Sequence, residues 1–297
     1  MRGRLLIACL ILAFLAGCSS TRFFYNRLDF LLPWYLGDYV ELDRQQDRYL
    51  HREVDAFLAW HRREELPRYL TLLDDFVTRL DREVTTEDLV LVTVGVERAL
   101  LRLQERALES MLALGDELAD RQITEFIATL REQQSEYEEK YLERSDSEYR
   151  DDACERLIDN ARTYIGRLQS EQKDALHQAC DDLQRSDSVW LEARAGWLVY
   201  LEQILQREPG WQERLRRALA ARNERMSEQY RAVYNHNFGV IQQAVVTLLN
   251  SRSERQDAHL RRKLDKLRRD ISALIEQGLD SSQWNSVDQA PLALPAS

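Results

Sequence analysis

The chain has 297 residues, 44% of them hydrophobic and 31% charged, yet only 10 Gly and 5 Pro, well under the roughly 12% that these two types ordinarily make up. That scarcity excludes a turn-rich all-β fold, and 6 Trp, 12 Tyr and 8 Phe beside abundant Leu exclude a disordered chain. The formal charge of −10 argues against nucleic acid as a partner.

The first element is a leader. Arg2 and Arg4 precede an apolar run from Leu5 to Phe14, too short to span a bilayer as a mature helix, and Leu15-Ala16-Gly17-Cys18 closes it. Small residues directly before a Cys resemble the lipobox of bacterial lipoproteins. The resemblance implies cleavage after Gly17, diacylglycerol on the Cys18 thiol and acylation of the new amine. Ser19, in place of Asp, implies sorting to the outer membrane. On this reading residues 1–17 are a signal peptide and 18–23 a lipidated tether. Residues 24–278 are a helical domain and 279–297 a disordered tail. The mature charge is −12 once Arg2 and Arg4 are removed.

Helices are expected almost throughout, because only Pro33, Pro67 and Pro209 lie between residues 22 and 290. Phe24 to Leu32 predicts a short helix ended by Pro33. Asp43 to Arg63 predicts the next, with Leu50, Val54, Phe57 and His61 along one face. Pro67 starts or kinks a segment to about Glu83. Thr85 and Asp88 form a capping-box pattern that opens a helix to Leu114, before Gly115. A polar helix runs from about Asp120 to Gly166, with a break suggested at Ser145-Asp146-Ser147. Ser170 caps a return helix, and a further helix carries Trp190, Trp197, Leu201 and Leu205. Trp211 to Leu249 and Glu254 to Gln277 complete the set, the latter with Leu260, Leu264, Leu267, Ile271 and Leu274 in coiled-coil-like spacing. The fold class is therefore all-α: an elongated multi-helix bundle with coiled-coil-like antiparallel helices and no β-sheet. Cys154 and Cys180 flank Arg167 symmetrically, so an antiparallel pair turning near Gly166 brings them level as a candidate disulfide; two free buried thiols are the alternative.

A weak repeat crosses these helices. Leu42-x-x-x-Gln46-x-x-x-Leu50, Leu118-x-x-x-Gln122-x-x-x-Phe126 and Leu168-x-x-x-Gln172-x-x-x-Leu176 share a frame. Ser253-x-x-Gln256-x-x-x-Leu260 repeats its second half, with Arg252 in the Leu position. The frame is a helix start, in which a first-turn Gln reaches back to free amides. It is also distantly similar to the Leu-Thr-x-x-Gln frame of periplasmic helical proteins of the stress-chaperone type, with Asp43, Ala119 and Gln169 where that frame has Thr. A closer resemblance lies in Phe24-Tyr25-Asn26-Arg27-Leu28-Asp29, Leu32-Pro33-Trp34-Tyr35-Leu36 and Trp60-His61-Arg62-Arg63-Glu64-Glu65-Leu66-Pro67-Arg68-Tyr69. These blocks resemble uncharacterised lipoproteins of Gram-negative proteobacteria, a domain of unknown function; the likeness implies address and fold, and no active site.

The tether holds Phe23, Phe24, Tyr25, Phe30, Trp34 and Tyr35 near the lipid surface, since Ser19 to Phe23 reaches roughly 17 Å at ~3.4 Å per residue. These aromatics either contact membrane or a partner, or fold back into the helical core, which is the favoured reading. None of His51, His61, His177, His236 and His259 stands in a metal-binding or di-iron pattern, and no phosphate loop or nucleophile elbow is present. His61 with Glu64 and Glu65 is the densest polar cluster. It reads as an ion network with Arg62, Arg63 and Arg68 in preference to a site. Arg131 to Asn160 holds eleven acids against five bases, and Arg252 to Asp270 eight bases against four acids. These blocks either pair with each other or leave the basic helix to meet anionic lipid.

The expectation is an outer-membrane lipoprotein, anchored through Cys18 on the periplasmic face. Its role is that of a binding, scaffold or envelope-maintenance protein with an envelope protein partner, with no cofactor, no metal and no enzymatic activity. A chaperone-like stress protein and a hydrolase with a site between helices are the alternatives.

Overall fold

The computed structural model of the chain describes residues 20–287, so the leader, Cys18 and residues 288–297 lie outside the described residues. Every regular element among the described residues is helical: α1 Ser20–Tyr25, α2 Leu28–Gly37, α3 Arg44–Trp60, a π-helical segment His61–Glu65, α4 Leu66–Arg79, α5 Thr86–Glu117 and α6 Asp120–Leu142. There follow α7 Asp146–Ile165, α8 Ser170–Asp182, α9 Asp187–Ile204, α10 Trp211–Ala220, α11 Glu228–Asn250 and α12 Glu254–Val287. No helix among the described residues is long and apolar enough to cross a membrane.

The helix starts follow the local chemistry. Thr85 and Asp88 close the capping box of α5, and Ser145 with Glu148 does the same for α7 after the expected break. Several boundaries differ from the sequence reading. The first helix begins at Ser20 and is interrupted after Tyr25, while Pro33 lies buried inside α2 instead of ending it. The segment from Trp211 splits, because Ser227 caps a fresh helix by accepting from Tyr230 N at 3.1 Å. Gly115 and Gly278 do not stop their helices. A Cβ on Gly115 would stand 2.8 Å from Trp211 Cη2, and one on Gly278 2.8 Å from Arg62 Cβ, so each glycine is a seat for a neighbouring side chain. The last helix consequently runs past Gln277 to Val287, into the stretch from Leu279 read as a tail.

The α3–π–α4 run and α5 form a long antiparallel hairpin, and α12 lies antiparallel along α4, with Arg268 Nε 2.9 Å from Asp74 Oδ1 and Arg261 Nη2 2.9 Å from Asp81 Oδ1. Helix α6 pairs with α9, α7 with α8, and α8 with α11. Leu260, Leu264, Ile271 and Leu274 of the α12 seam are all buried. The upper half of the seam joins a core with Leu80, Val84, Ile165 and Leu176, and the lower half one with Tyr25, Leu28, Leu58 and Leu66. A third core gathers Leu112, Ile204, Trp211 and Ala218.

The repeated Gln frame joins helix starts in pairs. Gln46 Oε1 accepts from Asp43 N (2.9 Å) and from Gln122 Nε2 (2.7 Å), while Gln46 Nε2 donates to Gln122 Oε1 (3.1 Å) and to Glu117 O (2.7 Å). Gln122 mirrors this, with Ala119 N donating to its Oε1 (2.7 Å) and its Nε2 reaching Glu41 O (2.6 Å). Gln172 and Gln256 repeat the arrangement between α8 and α12, donating to Ser251 O (3.2 Å) and Arg167 O (2.9 Å) and to each other at 3.2 and 2.8 Å. In both pairs the outside acceptor stands two residues before the partner's N-cap. All four side-chain amides are buried with both donors and their acceptor engaged.

Candidate functional site

The polar cluster at the centre of the α3–π–α4 run begins with Pro67. Proline lacks an N–H, and in a regular α-helix its ring strikes the carbonyl four residues earlier, here that of Arg63. The chain widens into the π-helical turn His61–Glu65 just before it. Both His61 and Glu65 point inward, with relative exposures of 8% and 0%. Tyr25 of α1, 2% exposed, places its hydroxyl 2.9 Å from His61 Nδ1. Glu65 accepts from Arg102 Nε and Nη2 of α5, each at 2.8 Å, and from Arg68 Nη1 at 2.7 Å. The Tyr69 ring stands edge-on to His61 at 5.4 Å, and Phe57 stacks on the imidazole at 6.2 Å.

Burial sets the ionisation of this group. It pushes the His61 pKa down to about 4, against a smaller opposing pull from Glu65. Burial also pushes the Tyr25 and Tyr69 phenols above their ordinary range. At Glu65 burial acts upward, but the Arg102 hydrogen bonds and the charges of Arg102 and Arg68 outweigh it, and the carboxyl is held below its ordinary value. The neutral imidazole thus shares one hydrogen bond with the Tyr25 hydroxyl through Nδ1, and both Glu65 oxygens are bound by guanidinium groups. The cluster joins a buried neutral Tyr25–His61 pair to a buried carboxylate held by two guanidinium groups.

Of the residues expected there, Arg68 takes part, Arg62 lies 5.2 Å from the Tyr25 ring centroid and donates to Asn26 Oδ1, and Arg63 and Glu64 are exposed. Arg102 was missed; its signal is a lone charge among Leu100, Leu101 and Leu103. The acidic stretch after Arg131 lines an open surface depression of Glu136, Glu139, Lys140, Glu143, Arg144 and Glu148. The ion pairs of the basic helix go to Asp74, Asp81 and Asp257, not to that stretch. Among the described residues no group of three His, Cys, Asp or Glu side chains is placed to hold a metal ion.

The six N-terminal aromatics divide. Tyr25 is in the core and Tyr35 is half-buried, its hydroxyl 2.6 Å from that of Tyr39. Phe23, Phe24, Phe30 and Trp34 stand outward with exposures of 57%, 51%, 62% and 60%. Folding back into the core, the favoured expectation, therefore does not describe these four. The inward face of α1 and α2 is already occupied by Thr21, Tyr25, Leu28 and Pro33. Cys154 of α7 and Cys180 of α8 are joined as a disulfide with Cα atoms 5.3 Å apart. Two carboxylates lock helix junctions nearby: Asp187 takes Arg144 Nε and Nη2 at 2.9 and 2.7 Å, and Asp88 takes Arg82 Nη1 and Nη2 at 2.7 Å each.

A family model described as a family of unknown function, DUF6279, matches residues 38–231, about two thirds of the chain. The chain belongs to this family. No curated protein and no solved structure matches it. The DUF6279 region takes in His61, Glu65, Arg102, the Gln46–Gln122 pair and the disulfide. Tyr25, the four outward aromatics and Gln256 fall outside it, so the DUF6279 region is completed on one side by α1 and α2 and on the other by most of α11 and by α12.

Proposed function

We propose that this DUF6279 protein is a lipid-anchored component of a bacterial envelope, acylated at Cys18 and sorted to the outer membrane. Its helical body faces the periplasm as a non-enzymatic binding or scaffold element for an envelope protein. The observation that carries the reading is the Leu15-Ala16-Gly17-Cys18 ending of the leader. The Cys154–Cys180 bond supports it, because structural disulfides persist in oxidising compartments. A non-enzymatic role is supported by the His61 cluster, whose polar groups are engaged with one another. The chaperone-like alternative draws on the repeated Gln frame, and the mutual capping of Gln46, Gln122, Gln172 and Gln256 accounts for that frame without a client. The test is intact mass and fractionation of the protein made in a Gram-negative host. The expected result is a chain beginning at Cys18 with acyl mass in the outer-membrane fraction, lost in Cys18→Ala. A chain that keeps its leader, or wild type and Cys18→Ala fractionating alike, overturns the reading.

A further inference from the structure

We infer that Phe23, Phe24, Phe30 and Trp34 form an aromatic wedge that enters the lipid surface beside the anchor and fixes the orientation of the helical body. The inference rests on the acylated Cys18 proposed above. The four rings cannot turn inward, because the opposite face of their helices is pinned. Tyr25 bonds His61, Leu28 packs in the lower core, Thr21 and Pro33 are buried, and Arg22 Nε stands 3.1 Å from Asp270 Oδ1. Phe30 and Trp34 lie one turn apart on α2, and Phe23 and Phe24 meet edge to face at 5.7 Å. Arg27 lies over the Phe23 ring at 5.3 Å, a cation placed where lipid phosphates would be.

The α2 sequence Leu-Asp-Phe-Leu-Leu-Pro-Trp-Tyr-Leu-Gly is apolar nearly all round, yet only one side of it meets protein. A helix apolar on both sides fits two apolar surroundings, the core on one side and lipid on the other. With ten residues α2 is too short to span a bilayer and suited to lie in its interface, where aromatic rings are favoured. Phe23 stands five residues after Cys18, and from Ser20 onward the chain is coiled in α1, so its reach is below the roughly 17 Å of an extended segment and an anchored protein keeps the wedge at the surface.

The test uses the acylated protein reconstituted into phosphatidylethanolamine and phosphatidylglycerol vesicles with brominated acyl chains, which quench tryptophan on contact. Wild type is compared with Trp34→Phe, which keeps the wedge but removes its reporter, and with Phe23→Ser/Phe24→Ser/Phe30→Ser, which keeps the reporter but removes the wedge. The expected result is that the bromine quenching seen in wild type is lost in Trp34→Phe, and that the triple variant falls to the Trp34→Phe level with unchanged helicity. Equal quenching in wild type and Trp34→Phe overturns the inference. So does an unquenched Trp34 in a protein that crosslinks to a second copy, which assigns the patch to self-association. Intact mass of the same sample reports on acylation separately. An unacylated sample fails the lipoprotein reading, and the wedge is then decided by the same Trp34 difference at saturating lipid.

Discussion

Replacing His61 with Gln leaves an amide that can pair with the Tyr25 hydroxyl as donor or acceptor, but removes the one group of the buried cluster that titrates in mildly acidic solution. In the folded chain His61 stays neutral down to about pH 4, because protonation would place a charge among Tyr25, Tyr69, Phe57 and Trp60 and beside Arg62. In the unfolded chain it takes up a proton near its ordinary value of 6.5. Between these values the unfolded state binds more protons. Stability therefore falls as pH drops through 6.5, and the loss levels off below the folded value. Integrating this single site from about pH 7.5 to about pH 4.5 gives a loss of about 2.5 kcal/mol, a sizeable part of the roughly 5–15 kcal/mol that holds a typical domain together. Glu65 does not share this window. Its folded pKa lies below the ordinary 4.5, so its contribution is present above that value and is lost only as pH falls further. The assay is urea unfolding followed by circular dichroism across this range. His61→Gln is expected to be less stable than wild type at neutral pH and to lack wild type's decline toward pH 4.5. If both proteins lose stability with the same pH slope, the buried neutral imidazole is not the cause and the reasoning fails.

Replacing Gln122 with Leu strands Glu41 O, Ala119 N and half of the Gln46 amide, and is expected to cost about 3 kcal/mol in urea unfolding; the Gln46→Leu/Gln122→Leu double variant should cost clearly less than the sum of the singles. Additive costs would show that the two amides do not act as a pair. Cys154→Ser/Cys180→Ser opens a loop of sequence separation 26, and chain entropy puts the expected loss at about 3.5 kcal/mol; reduction of wild type should reproduce it, and a double variant as stable as oxidised wild type would refute it. Gly115→Ala and Gly196→Ala are both helix-interior changes but should have opposite signs. The first pushes a Cβ to 2.8 Å from the Trp211 ring and is expected to lower stability by about 1–2 kcal/mol, while the second meets nothing within 4 Å and should raise it by about 0.5–1 kcal/mol. Thermal melts of the two variants decide the matter, and a stabilised Gly115→Ala would refute the close approach.

The parts of the fold that were legible in the sequence are those written in neighbouring residues. Thr85 with Asp88, Ser145 with Glu148 and the four first-turn glutamines mark helix starts because a cap and its amides lie within three residues of each other. The α12 seam was legible for the same reason, as a short period repeated along one helix. Gly115 was misread as a stop because a glycine has the same local signature whether it ends a helix or admits a Trp from another. Arg102 was not seen because its partner, Glu65, is 37 residues away. The aromatic block gave no side preference either: α2 is apolar nearly all round, and its inward face is set by remote contacts, Leu28 packing with Leu58 and Leu66 while Tyr25 of the preceding α1 bonds His61.

The glutamines show what such remote pairing adds to a bundle of apolar seams. A leucine seam loses little when one helix slides past another by a turn, since leucine again meets leucine. The Gln46–Gln122 pair closes the junction of α3, α5 and α6, and the Gln172–Gln256 pair closes that of α7, α8, α11 and α12. Sliding by even one residue would leave buried amides and the Glu41, Glu117, Arg167 or Ser251 carbonyls without partners, at about 1–3 kcal/mol each. Apolar burial therefore drives these helices together, while the buried amides select the register. The same separation of tasks recurs at the polar cluster. There Glu65 fixes α4 against α5 through Arg102, and His61 fixes α1 through Tyr25, which is what leaves Phe23, Phe24, Phe30 and Trp34 facing outward.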